Sequence, residues 1–261
     1  MRTKETTGVC PNCDQLGRIG DFCRERGCRK RRYHFIPNDY VERSEARRLD
    51  PMVGRSVDDH LVVAVLGEGG FGNVYLALQT PLMMKTALKV LRTDAVRRKL
   101  LKPIMQKFEG EAQALAALSH PNVVRLLRYG TYDAAPYMVM EYVAGGRLLS
   151  EEIAQHALWQ RRIPLDVTAR ILSQVLDGLE AAHALDIVHR DIKAENIMIQ
   201  DVVGNPHYVR ILDFGLAKFL KEGAGTSLAM GTPMNMAPEQ LTGGATGPWT
   251  DLYAVGTLCF E

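Results

Sequence analysis

Between Asp191 and Asn196 the chain places a carboxylate, an amine and an amide within six residues, Asp191-Ile192-Lys193-Ala194-Glu195-Asn196. A second acid, Asp213, comes seventeen residues after Asn196, in Asp213-Phe214-Gly215. A positioned carboxylate can take the proton of a hydroxyl, and two oxygen ligands, Asn196 and Asp213, converging on one spot suit Mg²⁺. A second chemistry lies near the N-terminus, where four of the five cysteines fall between residues 10 and 28. Cys10 and Cys13 form a C-x2-C pair, Cys23 and Cys28 a C-x4-C pair, and nine residues separate the pairs. Four thiolates close a tetrahedral structural Zn²⁺ site, and so short a segment needs a staple of that kind because its core is small. His34 is the alternative ligand.

Both sets need elements to hold them. Upstream of Asp191, Val167, Ile171, Leu172, Val175, Leu176 and Leu179 repeat at helical spacing. Downstream, Ile197-Met198-Ile199 reads as a short strand, and Tyr208–Leu212 as another leading to Asp213. The loop is thus expected between a buried helix and a strand. Nearer the N-terminus, Leu61–Leu66 reads as a buried strand running into Gly67-Glu68-Gly69-Gly70-Phe71-Gly72, and Asn73–Leu78 continues as a strand. A dinucleotide fold would open a helix after such glycines; a strand–glycine–strand hairpin instead lets backbone N–H groups approach a phosphate. Lys89, in Thr86-Ala87-Leu88-Lys89-Val90, sits among apolar neighbours, a costly place for an ammonium without a partner. A helix at about 104–118 offers Glu111, with Glu109 the alternative on another face. Gly110 within it costs about 1 kcal/mol relative to alanine. Further strands are expected at Val124–Gly130 and Tyr137–Tyr142.

Composition bounds the rest. The chain has 261 residues, a formal net charge of +2 and a hydrophobic fraction of 46%, as expected of one large soluble domain or two smaller ones. The charge balance argues against a general nucleic-acid binder, and the basic run Arg29-Lys30-Arg31-Arg32 reads as a solvated turn. No apolar run approaches the ~18–20 residues of a membrane span, and the opening Met-Arg-Thr-Lys-Glu lacks the apolar core of a signal peptide. Clustered cysteines without a secretion signal point to metal in a reducing compartment, and Cys259 reads as a small core residue. Polar residues with Pro37 and Pro51 make 37–56 a linker, so removal of metal is expected to unfold 8–36 alone.

The two Cys knuckles resemble a zinc ribbon. His189-Arg190-Asp191-x-Lys193-x-x-Asn196 followed by Asp213-Phe214-Gly215 resembles the catalytic core of the eukaryotic-like Ser/Thr protein kinases, those of bacterial type above all. The resemblance spans 61–261. It implies an α+β, two-lobed protein-kinase fold: a zinc-ribbon-like module at 1–36, the linker 37–56, a β-rich small lobe and hinge at 57–143, and a mainly helical large lobe at 144–261. Also implied is transfer of the γ-phosphoryl of ATP to Ser or Thr of protein substrates in cytoplasmic signalling. Asp191 would be the base, Lys193 would steady the γ-phosphate, and Asn196 and Asp213 would hold Mg²⁺. Lys89 would pair with Glu111; Gly67, Gly69 and Gly72 would cover the phosphates. Val74, Ala87 and Met198 would sandwich adenine, whose edge meets the backbone of Glu141 and Val143, with Met140 as gatekeeper. The activation segment would be Leu216–Met236, with Thr226 and Ser227 as phosphorylation candidates, Arg190 as the phosphate's partner, and Asn235 where the family usually has Tyr. Asp251 would hold the His189-Arg190 turn. By the same resemblance the large lobe is incomplete at Glu261, lacking the arginine that pairs with Glu239, which leaves an ATP-binding interaction module as the alternative reading. A zinc-dependent interaction or nucleic-acid module tethered to the kinase is a further one.

Overall fold

Short apolar strands build the first of two units into which the chain divides, residues 1–92 with 128–142; residues 93–127 with 143–261 form the second. The computed structural model describes residues 7–42, 50–69, 72–92, 101–214 and 235–260.

The first unit holds two sheets. The small one pairs β1 (Thr7–Val9) with β2 (Leu16–Arg18) and with β3 (Ile36–Pro37), both antiparallel; α1 (Arg26–Arg31) and α2 (Asn38–Glu42) complete it. The large one comprises β4 (Ser56–Val57), β5 (His60–Gly69), β6 (Gly72–Gln79), β7 (Met84–Leu91), β8 (Leu126–Tyr132) and β9 (Ala135–Glu141), in the order β4-β5-β6-β7-β9-β8. One core serves both sheets: Val9, Ile36 and Val41 are buried with Val57, Leu61, Val63, Tyr75, Leu88, Tyr137 and Val139.

The stretch 37–56, expected as a linker, is therefore part of the packing where it is described. Val41 and Val53 are buried, and Tyr40 and Met52 lie against the same core. Asp50 reaches β6, its Oδ2 accepting hydrogen bonds from the Tyr75 hydroxyl at 3.3 Å and the Asn73 amide at 3.5 Å. The apolar residues come in isolated pairs, Tyr40-Val41 and Met52-Val53, among charged neighbours. Such pairs carry too little period to announce a buried segment.

The second unit is helical around a small sheet. It contains α3 (Leu101–Ala117), β10 (Arg147–Leu148), α4 (Leu149–Leu158), α5 (Leu165–His183), β11 (Ile197–Val202), β12 (Asn205–Ile211), α6 (Pro238–Thr242) and α7 (Pro248–Leu258), with strand order β10-β11-β12. The expected helix before Asp191 is α5, which buries Ile171, Val175, Leu179 and Ala182. This is the i, i+4, i+8, i+11 stripe of one helical face; Leu176 falls off it and is 40% exposed. Gln174 ties α5 to its surroundings: its Oε1 accepts the Val209 N–H at 3.2 Å and the Asn122 amide at 3.3 Å, and its Nε2 donates to the His207 carbonyl at 2.9 Å. Residues 122–124 then bond to β12, the Val124 N–H donating to Ile211 O at 2.9 Å and the Ile211 N–H to Asn122 O at 2.7 Å. No helix among the described residues is long and apolar enough to cross a membrane.

Candidate functional site

In the second unit the 189–196 loop is fixed from below by one side chain. Asp251, on α7 and fully buried, accepts the His189 N–H on Oδ2 at 2.8 Å and the Arg190 N–H on Oδ1 at 2.7 Å, with His183 Nε2 also 2.8 Å from Oδ2. This is the role expected of Asp251. The clamp holds Arg190 at φ 64°, a left-handed conformation uncommon outside glycine. His189 is buried beside the Phe214 ring, with centroids 4.6 Å apart, and its Nε2 meets the Leu212 carbonyl at 2.7 Å. That last contact joins the loop to the strand preceding Asp213. Burial pushes the imidazole below its ordinary pKa, against the upward pull of the Asp251 carboxylate.

On this frame three expected groups come together. Asn196 Nδ2 donates to Asp191 Oδ2 at 3.0 Å and to the Asp191 carbonyl at 2.7 Å, and Lys193 Nζ stands 3.6 Å from Asp191 Oδ2. With its Nδ2 spent on Asp191, Asn196 presents Oδ1, the atom a hard cation takes. The Asn196 carbonyl accepts the Leu212 N–H at 2.8 Å, which ties it to the residue before Asp213. Asp213 itself has φ 49°, a second left-handed non-glycine residue. Met198 lies on β11, two residues after Asn196, its sulfur against Gly146 near Val143. Glu111 lies on α3 of this unit with its carboxylate 4.0 Å from the Arg190 guanidinium. Sequence reasoning missed Gln240, whose Nε2 donates to the Arg190 carbonyl at 2.9 Å, and Thr250, whose hydroxyl donates to Glu239 Oε1 at 2.6 Å. Gln and Thr sit so often on surfaces that residue type alone gave no signal for either.

In the first unit, register decides which residues share a face. Val74 is paired with Lys89, and Ala87 with Met140, across antiparallel strands. Directly paired residues point to the same side, and alternate residues along a strand do too. Val74, Ala87, Lys89, Met138 and Met140 therefore occupy one face of the sheet, with Lys89 buried. Glu141 ends β9 beside Thr86. Gly67 and Gly69 end β5, and Gly72 opens β6 with φ 152°; a Cβ there would lie 2.1 Å from the Val90 carbonyl oxygen. Only glycine fits so close to β7 at that angle.

The family model for the protein kinase domain matches residues 61–261. The chain belongs to the protein kinase family. Among curated relatives, the Ser/Thr-protein kinase pkn3 of Myxococcus xanthus is 37% identical over 222 residues, covering 81% of this chain and 39% of that protein. PrkC of Bacillus subtilis is 34% identical over 213 residues, covering 80% and 31%. The chain thus spans well under half the length of these relatives. Among solved structures, the PpkA-294 apo form is 27% identical with a TM-score of 0.66, covering 79% of this chain and 76% of that one. The Mycobacterium tuberculosis PknI kinase domain is 24% identical with a TM-score of 0.63, over 79% and 74%, a likeness of fold. The two-lobed protein-kinase fold expected from the sequence is that of the family. Gly70, Phe71, Gly215 and most of the expected activation segment, including Thr226, Ser227, Thr232 and Pro233, lie outside the described residues.

The protein kinase match begins after the cysteines, yet these form a site of their own. The sulfurs of Cys10, Cys13, Cys23 and Cys28 all lie within 4.8 Å of one another. Cys10–Cys28 and Cys13–Cys23 are each 3.6 Å apart, far beyond a disulfide bond of about 2.05 Å. With Zn–S bonds of about 2.3 Å, the corners of a tetrahedron stand about 3.8 Å apart, so the four sulfurs fit that ion. Burial raises the Cys10 and Cys28 thiols above their ordinary pKa. At Cys13 burial acts the same way but is outweighed by hydrogen bonds from the Gln15 backbone and the neighbouring thiols, and its pKa falls. A divalent cation bound there would take the place of the thiol protons. His34, the alternative ligand, faces the Gly54 carbonyl at 3.3 Å instead.

Proposed function

We propose that this protein transfers the γ-phosphoryl of ATP to serine or threonine hydroxyls of proteins, as a cytoplasmic signalling kinase. The observation that carries this reading is the Asp191–Lys193–Asn196 cluster on a turn clamped by Asp251. Relatives named as Ser/Thr-protein kinases at 34–37% identity support it.

The Asp191 carboxylate takes the hydroxyl proton as the oxygen bonds to the γ-phosphorus, and ADP leaves. Lys193, already 3.6 Å from Asp191, neutralises charge on the transferred group. Asn196 and Asp213 would hold Mg²⁺, which when bound would supply charge neutralisation on the phosphates. Lys89 and Glu111 set the nucleotide, Gly67, Gly69 and Gly72 cover its phosphates, and Val74, Ala87, Met198, Glu141 and Val143 receive adenine. Most of the rate comes from positioning, which suits a loop fixed by backbone hydrogen bonds. The four cysteines hold one structural Zn²⁺.

Radiolabelled phosphate transfer to a Ser/Thr-rich protein, measured beside nucleotide binding, tests this. Transfer that labels serine or threonine and needs Mg²⁺ is expected. Nucleotide binding with no transfer would replace the enzyme with an ATP-binding interaction module.

A further inference from the structure

The sheet that carries Lys89 shares one hydrophobic core with the cysteine module. Val74, Ala87, Lys89 and Met140 share one face by register. Tyr75, Leu88, Tyr137 and Val139 occupy the opposite face, buried in the core that also takes in Val9 and Ile36. Those two residues are chain neighbours of the thiol cluster. Val9 precedes Cys10, and Ile36 follows Phe35, which is buried with Cys10, Cys23 and Cys28. β1 and β3 thus enter the shared core directly from the metal-ligating end, paired to each other through Val9 and Ile36.

Backbone bonds reinforce the joint. Gly54 accepts the His34 N–H at 2.7 Å on its carbonyl and donates its own N–H to Val62 of β5 at 2.9 Å; the Val62 N–H returns to Arg55 O at 2.9 Å. Gly54 has φ 86°, and a Cβ there would stand 2.4 Å from Pro11 Cγ and 3.1 Å from the Tyr33 ring. Pro11 lies between Cys10 and Cys13. One glycine is therefore wedged between the cysteine knuckle and the strand that runs on to Gly67 and Gly69.

We propose that the metal held by Cys10, Cys13, Cys23 and Cys28 is a folding element of the whole nucleotide-sheet unit, so that its removal unfolds β5 to β7 and abolishes nucleotide binding. This rests on the zinc reading above and goes beyond it, since a zinc ribbon on a free linker would melt alone. Binding converts four thiols to thiolates and releases their protons to solvent. The net negative charge of a Zn²⁺ with four thiolates falls beside the exposed Arg26, Arg29 and Lys30 of α1, the helix that carries Cys28.

The test uses the full chain. Zinc is measured in freshly purified protein, then removed with a chelator and restored, while hydrogen exchange is followed peptide by peptide and nucleotide binding is titrated. One zinc per chain is expected. Its removal should strip protection from 61–69 and 84–91 as well as from 7–37, weaken nucleotide binding at least tenfold, and reverse on adding Zn²⁺. The two tryptophans, Trp159 and Trp249, both lie in the second unit, so their fluorescence reports that unit separately. Protein that folds with no metal overturns the zinc reading. Protein whose zinc leaves with protection lost only in 7–37 keeps the zinc reading and overturns the coupling.

Discussion

Asp251 shows how much one buried carboxylate can determine. It accepts two backbone N–H groups of the turn that delivers Asp191 and faces the His183 imidazole at the end of α5. In Asp251→Ala those N–H groups lose their partner, at about 1–3 kcal/mol for each buried group left unsatisfied. The expected result is a lower melting temperature together with a large fall in phosphoryl transfer; transfer at the parent rate would show that the turn keeps its shape without the clamp. Asp191→Ala separates chemistry from stability. Turnover should fall by roughly two to four powers of ten, the scale of a positioned general base, with ATP affinity retained because the proposed role of Asp191 is toward the hydroxyl and not the nucleotide. Steady-state kinetics beside a nucleotide titration decide it. Asp191, Lys193, Asn196 and Asp213 stood out as candidates in the sequence because their types and spacing resemble the family motif. Gln174, Gln240 and Thr250 were not, since their roles come from which carbonyls and carboxylates the fold sets opposite them.

Among the elements, the β5–β6 hairpin was readable from its apolar run and glycines, and α5 from its stripe. The structure adds why Gly72 is glycine. Gly72→Ala would drive a methyl group toward the Val90 carbonyl oxygen, 2.1 Å from an ideal Cβ, at a φ that L-residues rarely adopt. Overpacking and strain of this order cost about 1–3 kcal/mol, so nucleotide affinity should fall roughly tenfold as β6 shifts away from β7. Isothermal titration with ATP checks this, and an unchanged affinity would mean that the hairpin absorbs the methyl group without moving. Helix α2 and the 50–54 turn were missed because their burial depends on what packs over them.

Across the whole molecule, buried histidines set the response to acid. His60 and His189 are both pushed below their ordinary value, chiefly by burial, which disfavours the charged ring. At pH above about 6.5 folded and unfolded chains are both neutral at these positions, so nothing is lost. Below that the unfolded chain binds protons first, and stability declines as pH falls toward the folded values. Denaturant unfolding at pH 7.5 and 5.5 should show lower stability at the acid end; equal midpoints would contradict the burial argument. Metal acts on the same scale. Structural Zn²⁺ binding is worth about 10–16 kcal/mol, against a typical domain margin of about 5–15 kcal/mol. On the proposal above, a zinc site that shares a core with the Lys89 sheet would carry enough free energy to decide whether that sheet is folded.

The sequence by itself determined the family, the order of the candidate site groups and the four clustered thiols, because each depends on residue type at short range along the chain. Tertiary structure decided what the thiols are attached to. Val9, Ile36, Val41 and Val53 are scattered over 45 residues of mostly polar chain, and only their burial with Leu61, Tyr75 and Leu88 makes the cysteine module and the nucleotide sheet one unit. The clamp on the 189–190 turn is likewise a matter of distance in space, since Asp251 acts across 62 residues from His189. Packing and hydrogen bonding between segments so far apart follow from the fold and leave no local pattern.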